Sequence, residues 1–371
     1  MLKQGVKYKI AIVGAGNAGC ITALHYYFHG RDIFDISIYH NPEEHPIEKV
    51  GQGTFPSVSK LISQTLNIDW HTNPIDATFK TGIMYEGWGK KQDKIFHPFG
   101  LHRMATHYVP QKLSKTVLES GFFEVIKENI TDPEKQIDAD IIFDCRGRND
   151  RDKSNYDLLA SPLNSVLLYK KEGRDQDLLY TRTVATPNGW TFVVPNIDSV
   201  SYGYLYNNTI TSLDEATNDF LERFELPGID DQFSFQNYIA KSVFVGDRTI
   251  LNGNRCGFLE PLEATASVFY ESVCRYVWDG LFNIKTVEQS NDKIRSVMKR
   301  IENYILWHYQ TGSKYDTPFW DYAKSLPFNP DEKFNRILQD AQTKDYIDRT
   351  GECYTYWCRD SFKYWYDGVT L

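Results

Sequence analysis

Six residues near the N-terminus have the spacing of a nucleotide-binding turn. The apolar run Lys9–Val13 leads into Gly14-Ala15-Gly16-Asn17-Ala18-Gly19, a GxGxxG motif that opens a helix-like segment. Glycines at these positions allow a tight turn and let the backbone approach a pyrophosphate at a helix N-terminus. The motif predicts a bound FAD or NAD, and the predicted contacts are Gly14, Gly16, Asn17, Ala18 and Gly19.

The acidic residue that usually completes such a site is missing. A carboxylate about 20 residues after the glycines normally binds a ribose hydroxyl. Here the second predicted strand ends with Tyr39 and His40. We therefore expect the contacts to the adenosine half to be weaker or differently arranged.

Other short runs could carry chemistry, although each alone has an ordinary explanation. Lys80 would usually be a solvated charge on a strand, and Gly189–Phe192 would be a buried aromatic strand. Asp144–Arg148 and Asn252–Arg255 would be turns. The run Gly257–Ala266, which contains Glu-Pro-Leu-Glu-Ala-Thr-Ala, is the most distinctive of the set.

In this order, the runs resemble the motifs of flavin-dependent halogenases of the tryptophan-halogenase type. Thr78–Lys80 resembles the family's FK strand, and Gly189–Pro195 resembles its GWxWxIP signature with Phe192 in place of the second tryptophan. Trp307–Tyr309 and Asp316–Trp320 resemble its WHY and DTPFW landmarks. The matching motifs run from residue 10 to 320. Residues 321–371 lack a clear match, and we expect them to carry much of the substrate specificity.

The resemblance implies that Lys80 and Glu263 are catalytic. Lys80 would hydrogen-bond hypohalous acid or be halogenated on nitrogen, while Glu263 would polarise that acid or accept the proton of the halogenated ring. The backbone N–H groups of Thr265 and Ala266 resemble the family's halide cradle. The chain departs from the family at Ala264 and Ala266, where serine and glycine are usual.

The same resemblance implies the flavin and substrate contacts. Val50–Pro56 resembles a Gly-rich strap across the flavin, and Asn254 replaces an aspartate that usually precedes the EPLE motif. Phe96–Gly100 resembles a segment that clasps a flat aromatic substrate. Beyond the GxGxxG residues, the implied FAD contacts are Gly51, Gly53, Thr54, Asp144, Gly147 and Asn254; the implied substrate contacts are His97, Phe99, Trp190 and Phe192.

The implied reaction needs two partners besides the substrate. Reduced FAD would be supplied by a separate NAD(P)H-dependent flavin reductase, which agrees with a single nucleotide fingerprint in this chain. Reduced FAD and O₂ would oxidise a halide ion, the co-substrate, to hypohalous acid. That acid would be relayed through Lys80 to a small, electron-rich aromatic substrate.

Composition and charge argue against several other classes of partner, including nucleic acid and membranes. The net charge is −8 at pH 7, and no block of lysine and arginine stands out, which argues against nucleic acid. No run approaches the roughly 20 apolar residues of a membrane span. The N-terminus runs directly into a core strand, so we expect no signal peptide. A homo-oligomer is left open, since dimers are the commonest soluble oligomers.

The six cysteines predict a reduced, cytoplasmic protein. They are scattered at positions 20, 145, 256, 274, 353 and 358, and none forms a CxxC pair. The spacing therefore suggests neither a zinc site nor a disulfide framework, and no metal is expected.

The elements that would position these residues read as an α/β fold. Tyr8–Val13, Ala18–Phe28 and Phe34–Tyr39 predict a strand, a helix and a strand, and apolar spacing across Ile294–Ile305 predicts an amphipathic helix that ends before Gly312. We expect a flavoprotein-monooxygenase-like, Rossmann-type FAD-binding fold with an interleaved β-sheet substrate region and a helical C-terminal part. The expected FAD segments of this single unit, 1–371, are about 8–60, 137–150 and 245–290; the substrate segments are about 61–136, 151–244 and 291–371.

Two other functions remain open. A flavin-dependent aromatic hydroxylase of the same fold would need neither Lys80 nor Glu263, which counts against it. A non-catalytic flavin- or ligand-binding protein is supported by the missing ribose carboxylate, Asn254 and the two alanines beside Thr265.

Overall fold

The strand, helix and strand predicted at the N-terminus are present in the computed structural model. They are β1 (Tyr8–Val13), α1 (Asn17–Gly30) and β2 (Phe34–His40). The structure describes residues 6–43, 50–100, 103–147, 154–173, 178–344 and 351–370. No helix in these ranges is both long and apolar enough to cross a membrane.

The remaining elements of the described residues follow in chain order. The strands are β3 (Gln52–Gly53), β4 (Thr78–Lys80), β5 (Gly82–Glu86), β6 (Lys94–Pro98), β7 (Ala105–Tyr108), β8 (Glu124–Lys127), β9 (Ile141–Asp144), β10 (Tyr156–Leu158), β11 (Ser165–Glu172), β12 (Thr181–Thr186), β13 (Gly189–Pro195), β14 (Ser199–Tyr206), β15 (Asp231–Ser234), β16 (Tyr238–Ala240), β17 (Phe244–Val245), β18 (Thr249–Leu251), β19 (Gly257–Phe258), β20 (Cys353–Tyr354) and β21 (Trp357–Cys358). The helices are α2 (Pro56–Thr65), α3 (Pro110–Leu118), α4 (Pro133–Gln136), α5 (Leu213–Phe224), α6 (Ala266–Leu281), α7 (Val287–Thr311), α8 (Pro318–Ser325), α9 (Glu332–Thr343) and α10 (Arg359–Thr370), with short 3₁₀ turns at Gly253–Arg255 and Leu262–Ala264.

The chain divides into two compact units. Unit 1 comprises Met1–Thr78, Ala105–Leu158 and Tyr238–Met298, and unit 2 comprises Phe79–Met104, Leu159–Asn237 and Lys299–Leu371. Residues 61–78 and 105–136, which we expected among the substrate segments, belong to unit 1 by this division. Which ligand each segment contacts remains a prediction.

Unit 1 is built on a six-stranded sheet in the order β17-β18-β9-β1-β2-β8. The pairs that β1 makes with β2 and β9 are parallel, as is the pair between β9 and β18. Their register places Val13, Asp144 and Leu251 at one edge, where the strands end. Ligands of open parallel sheets bind outside this carboxyl edge. The GxGxxG turn, the Asp144 turn and Asn252 all follow these strand ends.

Unit 2 is built on a seven-stranded sheet in the order β15-β11-β14-β13-β12-β5-β6. Its neighbouring strands are antiparallel except for β12 and β5, which run parallel. Every residue of β13 is buried, so this strand lies inside the unit 2 core. The amphipathic helix predicted from Ile294–Ile305 is confirmed as α7, and Gly312 follows it with a φ of +76°.

The cysteine prediction is wrong for one pair. Cys353 and Cys358 form a disulfide. They lie directly opposite each other in the β20–β21 hairpin, and this register was not visible in the sequence because the spacing is not CxxC. The prediction that all cysteines are reduced therefore fails at this hairpin, whereas Cys20, Cys145, Cys256 and Cys274 are buried free thiols.

Candidate active site

The GxGxxG turn has the geometry of a cradle for a ligand. Gly14 has a φ of +106°, and a Cβ there would lie 2.8 Å from the carbonyl oxygen of Cys145. A Cβ at Gly19 would lie 1.8 Å from the carbonyl oxygen of Gly14, so only glycine fits. By contrast, a Cβ at Gly16 would meet no described atom within 4 Å. The backbone is therefore open at Gly16 and packed at the other two glycines.

The N-terminus of α1 adds a positive electrostatic end to this cradle. No side chain of the described residues caps it, and its first turn holds no acidic residue. Unpaired N–H groups and the helix dipole at such an end favour a phosphate. Asn17 is buried and accepts a hydrogen bond from the Tyr108 hydroxyl, which fixes its side chain. Ala18 lies against Gly253, where a Cβ would be 2.4 Å from the Ala18 Cβ.

Asp144 is held as a carboxylate by two arginines. Its side chain accepts hydrogen bonds from Arg146 Nε at 2.9 Å and from Arg255 Nε at 3.0 Å. Burial alone would raise the pKa of Asp144, but the two guanidinium groups outweigh it and lower the pKa. Gly147 has a φ of +84°, and a Cβ there would meet nothing within 4 Å of the described atoms. Arg148 of this motif lies outside the described residues.

Two asparagines shape the turn before the EPLE motif. Asn252 is fully buried, and its side-chain amide donates to Thr22 Oγ1 at 2.9 Å and to the Tyr270 carbonyl at 3.1 Å. Asn254 accepts a hydrogen bond from the Tyr270 hydroxyl at 3.0 Å. An aspartate at 254 could accept this bond too, whereas the amide adds donors. Asn252 was not among the predicted site residues; its position after β18 is the signal that could have found it.

The strap residues are joined to unit 1 through hydroxyl groups. Gly53 pairs with His107 between β3 and β7, and Gly51 lies just before this pairing. Thr54 Oγ1 donates to the Thr106 carbonyl at 2.7 Å and lies 2.5 Å from Ser59 Oγ. The buried Thr54 side chain therefore anchors the end of the strap.

These residues fit an FAD molecule. A glycine whose Cβ position is open, an uncapped helix N-terminus and the carboxyl edge of a parallel sheet are the features that a dinucleotide requires. Tyr39 and His40 end β2 where an acid is usual, so the fit lacks the ribose carboxylate. Burial, followed by the nearby carboxylate of Glu124, raises the pKa of the Tyr39 hydroxyl.

Glu263 and Ala264 adopt an unusual backbone conformation before α6. Their φ angles are +70° and +54°, in the left-handed region that favours glycine. Glu263 is buried, and the Ala264 N–H donates to the Pro261 carbonyl at 2.9 Å. Thr265 and Ala266 follow at the N-terminus of α6, which no side chain of the described residues caps. The implied halide amides thus lie at a positive helix end.

Lys80 is buried in unit 2 although its neighbour Phe79 is exposed. The exposed fraction is 0% for Lys80 and 47% for Phe79, because successive residues of β4 face opposite ways. The same inversion occurs on β6, where His97 is buried and Phe96 is exposed. An ordinary strand would bury the phenylalanines and expose the polar residues.

Buried Lys80 and His97 form a cluster with the half-buried rings of Phe99 and Tyr364. Lys80 Nζ lies 5.2 Å from the centroid of the Phe99 ring, within the range of a cation–π interaction. The Phe99 ring meets His97 edge-on at 5.9 Å. His97 in turn faces Tyr364 of α10 at 5.5 Å, with 33° between the ring planes. The structure therefore brings three predicted residues, Lys80, His97 and Phe99, into one cluster.

Tyr364 was missed by the sequence analysis. It lies in the C-terminal part that matches no motif, although we expected that part to influence specificity. Helix α10 comes close to β6 because residue 368 is glycine; a Cβ there would lie 2.5 Å from the Ile95 side chain. A glycine within an otherwise aromatic helix is the signal that could have indicated this close packing.

Trp190 and Phe192 form a second group on β13. Trp190 is fully buried, and its indole N–H donates to the Tyr309 hydroxyl at 3.0 Å. Phe192 lies 6.4 Å from Trp190 and directly opposite Gly203 on β14. Trp190 is therefore placed as a core residue of unit 2.

Comparison with known proteins identifies the family. The sequence model of the tryptophan halogenase family matches residues 9–116 and 116–363. Tryptophan 7-halogenase RebH of Lentzea aerocolonigenes is 26% identical over 207 residues, which cover 51% of this chain and 39% of RebH. Tryptophan 6-halogenase ThaL of Streptomyces albogriseolus is 22% identical over 246 residues, which cover 62% of this chain and 46% of ThaL. The match thus spans less than half the length of either relative.

Solved structures share the fold along nearly the whole chain. BrvH, a flavin-dependent halogenase from Brevundimonas sp. BAL3, superposes with a TM-score of 0.79 at 18% identity, covering 98% of this chain and 89% of BrvH. The tryptophan halogenase of Shewanella frigidimarina NCIMB 400 gives a TM-score of 0.80 at 18% identity, covering 100% of this chain and 90% of that one. The family match extends over most of the sequence, and the chain therefore belongs to the tryptophan halogenase family.

Proposed function

We propose that the protein is an FADH₂-dependent halogenase that uses Lys80 to deliver halogen to an aromatic ring. The observation that carries this proposal is the burial pattern of β4, which buries Lys80 beside Phe99 and exposes Phe79. Burying an ammonium group opposes folding unless something compensates for the lost water. Such a residue in an aromatic cluster is therefore a functional candidate rather than a surface charge.

The proposed roles follow from the chemistry of each side chain. Reduced FAD, when bound by the glycine turn of unit 1, would supply the electrons that allow O₂ to oxidise a halide to hypohalous acid. The Lys80 ammonium transfers a proton to the oxygen of this acid as the O–halogen bond breaks, so that the oxygen leaves as water and Lys80 becomes the neutral amine. The ring carbon forms the new bond to halogen. Glu263 accepts the ring proton.

The substrate is proposed to be a flat, electron-rich aromatic molecule. Phe99, His97 and Tyr364 offer ring faces and edges to such a molecule, and offset or edge contacts between rings are favourable. Trp190 and Phe192 are proposed to act less directly, by packing in the core of unit 2. The hydrogen bond from the Trp190 indole to the Tyr309 hydroxyl supports that role.

The reduced flavin is proposed to come from a separate NAD(P)H-dependent reductase. The glycine turn is the one dinucleotide fingerprint that the sequence carries, and the proposed FAD occupies it. We propose that the protein acts in the cytoplasm, where such reductases and their nicotinamide substrate are available.

The test is a halide-dependent assay with the purified protein. Reductase, FAD and NADH are combined with chloride, bromide or iodide and a panel of indoles and phenols, and products are identified by mass spectrometry. The proposal predicts a halogenated product whose mass changes with the halide added. Hydroxylated product without halide would support the hydroxylase alternative. Tight FAD binding with no product from any aromatic tested would contradict the proposal.

A further inference from the structure

Ser267, the second residue of α6, carries a buried hydroxyl with no hydrogen-bond partner. Its side chain is 1% exposed, and its Oγ has no partner among the described residues. A serine inside a helix usually bonds to a backbone carbonyl one turn earlier. A buried hydroxyl without a partner opposes folding, so each such group calls for an explanation.

The Cα–Cβ bond of Ser267 tilts toward the start of the helix. Cα–Cβ bonds in an α-helix tilt toward the N-terminus, and Ser267 is one residue after the first helical residue, Ala266. The same end presents backbone N–H groups that no described side chain caps, and its first turn holds no acidic residue. Ala266 is half-buried, which leaves this end open to a small ion.

We propose that the Ser267 hydroxyl is a ligand of the halide ion, acting with the N–H groups of Thr265 and Ala266. This inference rests on the proposed function, which places a halide at these amides. A halide accepts hydrogen bonds from any direction, so a hydroxyl and two amides at one helix end suit it. The site would then contain a side-chain donor in addition to backbone donors.

The inference also predicts a change in halide preference. Chloride is smaller and more strongly hydrated than bromide or iodide, so it depends more on the donors that replace its water. Removing the Ser267 hydroxyl should therefore weaken chloride binding more than bromide or iodide binding. A serine that only fills space would affect all three halides equally.

Halide binding by the protein without flavin tests the inference directly. Crystals grown in bromide are examined by anomalous diffraction, and thermal denaturation is followed during halide titration against acetate at equal ionic strength. We expect an anomalous peak in contact with Ser267 Oγ. Ser267→Ala should weaken chloride affinity about tenfold or more, the effect of one hydrogen bond to a charged group. A peak that does not touch Ser267, with affinity unchanged within threefold, would overturn the inference.

Two controls separate ligand loss from a change in packing. Ser272→Ala makes the same substitution at another buried position of α6, and its halide affinity should equal that of the wild type. The second control compares Ser267→Thr with Ser267→Val. The threonine and valine side chains have the same shape, and only threonine carries a hydroxyl. The Thr variant should bind chloride at least fivefold more tightly than the Val variant; equal affinities would again refute a ligand role.

These results separate the inference from the proposed function. Halide bound through Ser267 in a protein that makes no halogenated product would refute the halogenase proposal but keep the anion site. Halogenated product with the same KM for chloride in wild type and Ser267→Ala would refute the Ser267 inference alone.

Discussion

The left-handed backbone at Ala264 predicts that a glycine substitution stabilises the protein. The φ of +54° costs a residue with a Cβ roughly 1–2 kcal/mol, which glycine would avoid. Glycine also has more conformational freedom in the unfolded chain, which lowers the free energy of unfolding by about 0.5–1 kcal/mol. The difference predicts that Ala264→Gly raises the free energy of unfolding by about 0.5–1 kcal/mol.

The matched control is the same substitution two residues later. Ala266 is the first residue of α6 and does not have a positive φ, so glycine has no strain to relieve there. Ala266→Gly should lower the free energy of unfolding by up to about 1 kcal/mol, the usual helix penalty. Urea denaturation of both variants, followed by far-UV circular dichroism, measures the two signs in parallel.

A functional measurement extends this comparison. Ala264 follows the proposed base, Glu263, so a more flexible glycine should loosen the carboxylate and reduce the halogenation rate while stability rises. If Ala264→Gly is less stable than the wild type, or if both variants change stability in the same direction, the strain assigned to this turn is wrong.

Four further predictions concern charge and halide. Lys80→Ala should abolish halogenation while O₂ consumption by reduced flavin continues. The control is Lys94→Ala, at an exposed lysine of the same unit, which should change neither rate. Near-wild-type halogenation by Lys80→Ala would refute the proposed relay. Glu263→Gln should lower the rate at least ~100-fold, and a loss under about threefold would leave Glu263 a structural role. Equimolar halide competition should favour bromide or iodide over chloride, with Ala264→Ser shifting use toward chloride; mainly chlorinated product from the wild type would oppose this. Burial, followed by the electrostatic effects of His29 and Arg275, lowers the pKa of His25 to about 3, so the unfolded chain binds this proton below pH 6.5 and the folded chain does not. The free energy of unfolding should fall as the pH drops from 6.5 to about 3, by up to about 1.4 kcal/mol per pH unit. Urea denaturation at a series of pH values should show that the stability of His25→Gln depends less steeply on pH.

Local sequence patterns predicted the elements that depend on local physics. The apolar run of β1 and the glycine turn placed β1, α1 and β2 with errors of no more than two residues at an end. The helical spacing of Ile294–Ile305 predicted α7, because the apolar residues of that spacing are buried in the helix. The motif Thr78-Phe79-Lys80 marked the lysine, but the burial of Lys80 beside Phe99 required the structure.

Features that depend on contacts between distant segments were not predictable in the same way. The Cys353–Cys358 bond depends on the register of a hairpin whose turn includes Thr355 at a φ of +60°. Tyr364 reaches His97 only because Gly368 lets α10 approach β6. Local sequence patterns carry little information about either contact. The segments α10 and β6 are more than 200 residues apart in the chain, and the β20–β21 hairpin turn has no recognisable motif.

The pairing of Phe192 with Gly203 has a consequence for directed evolution of this protein. The two residues are opposite in the β13–β14 register, and a Cβ at 203 would lie 2.1 Å from the Phe192 ring. Mutations at these positions should therefore be epistatic: a side chain at 203 requires the ring at 192 to move or to become smaller. Substitutions at 203 alone should lower stability, whereas varying both positions together reaches combinations that single substitutions cannot.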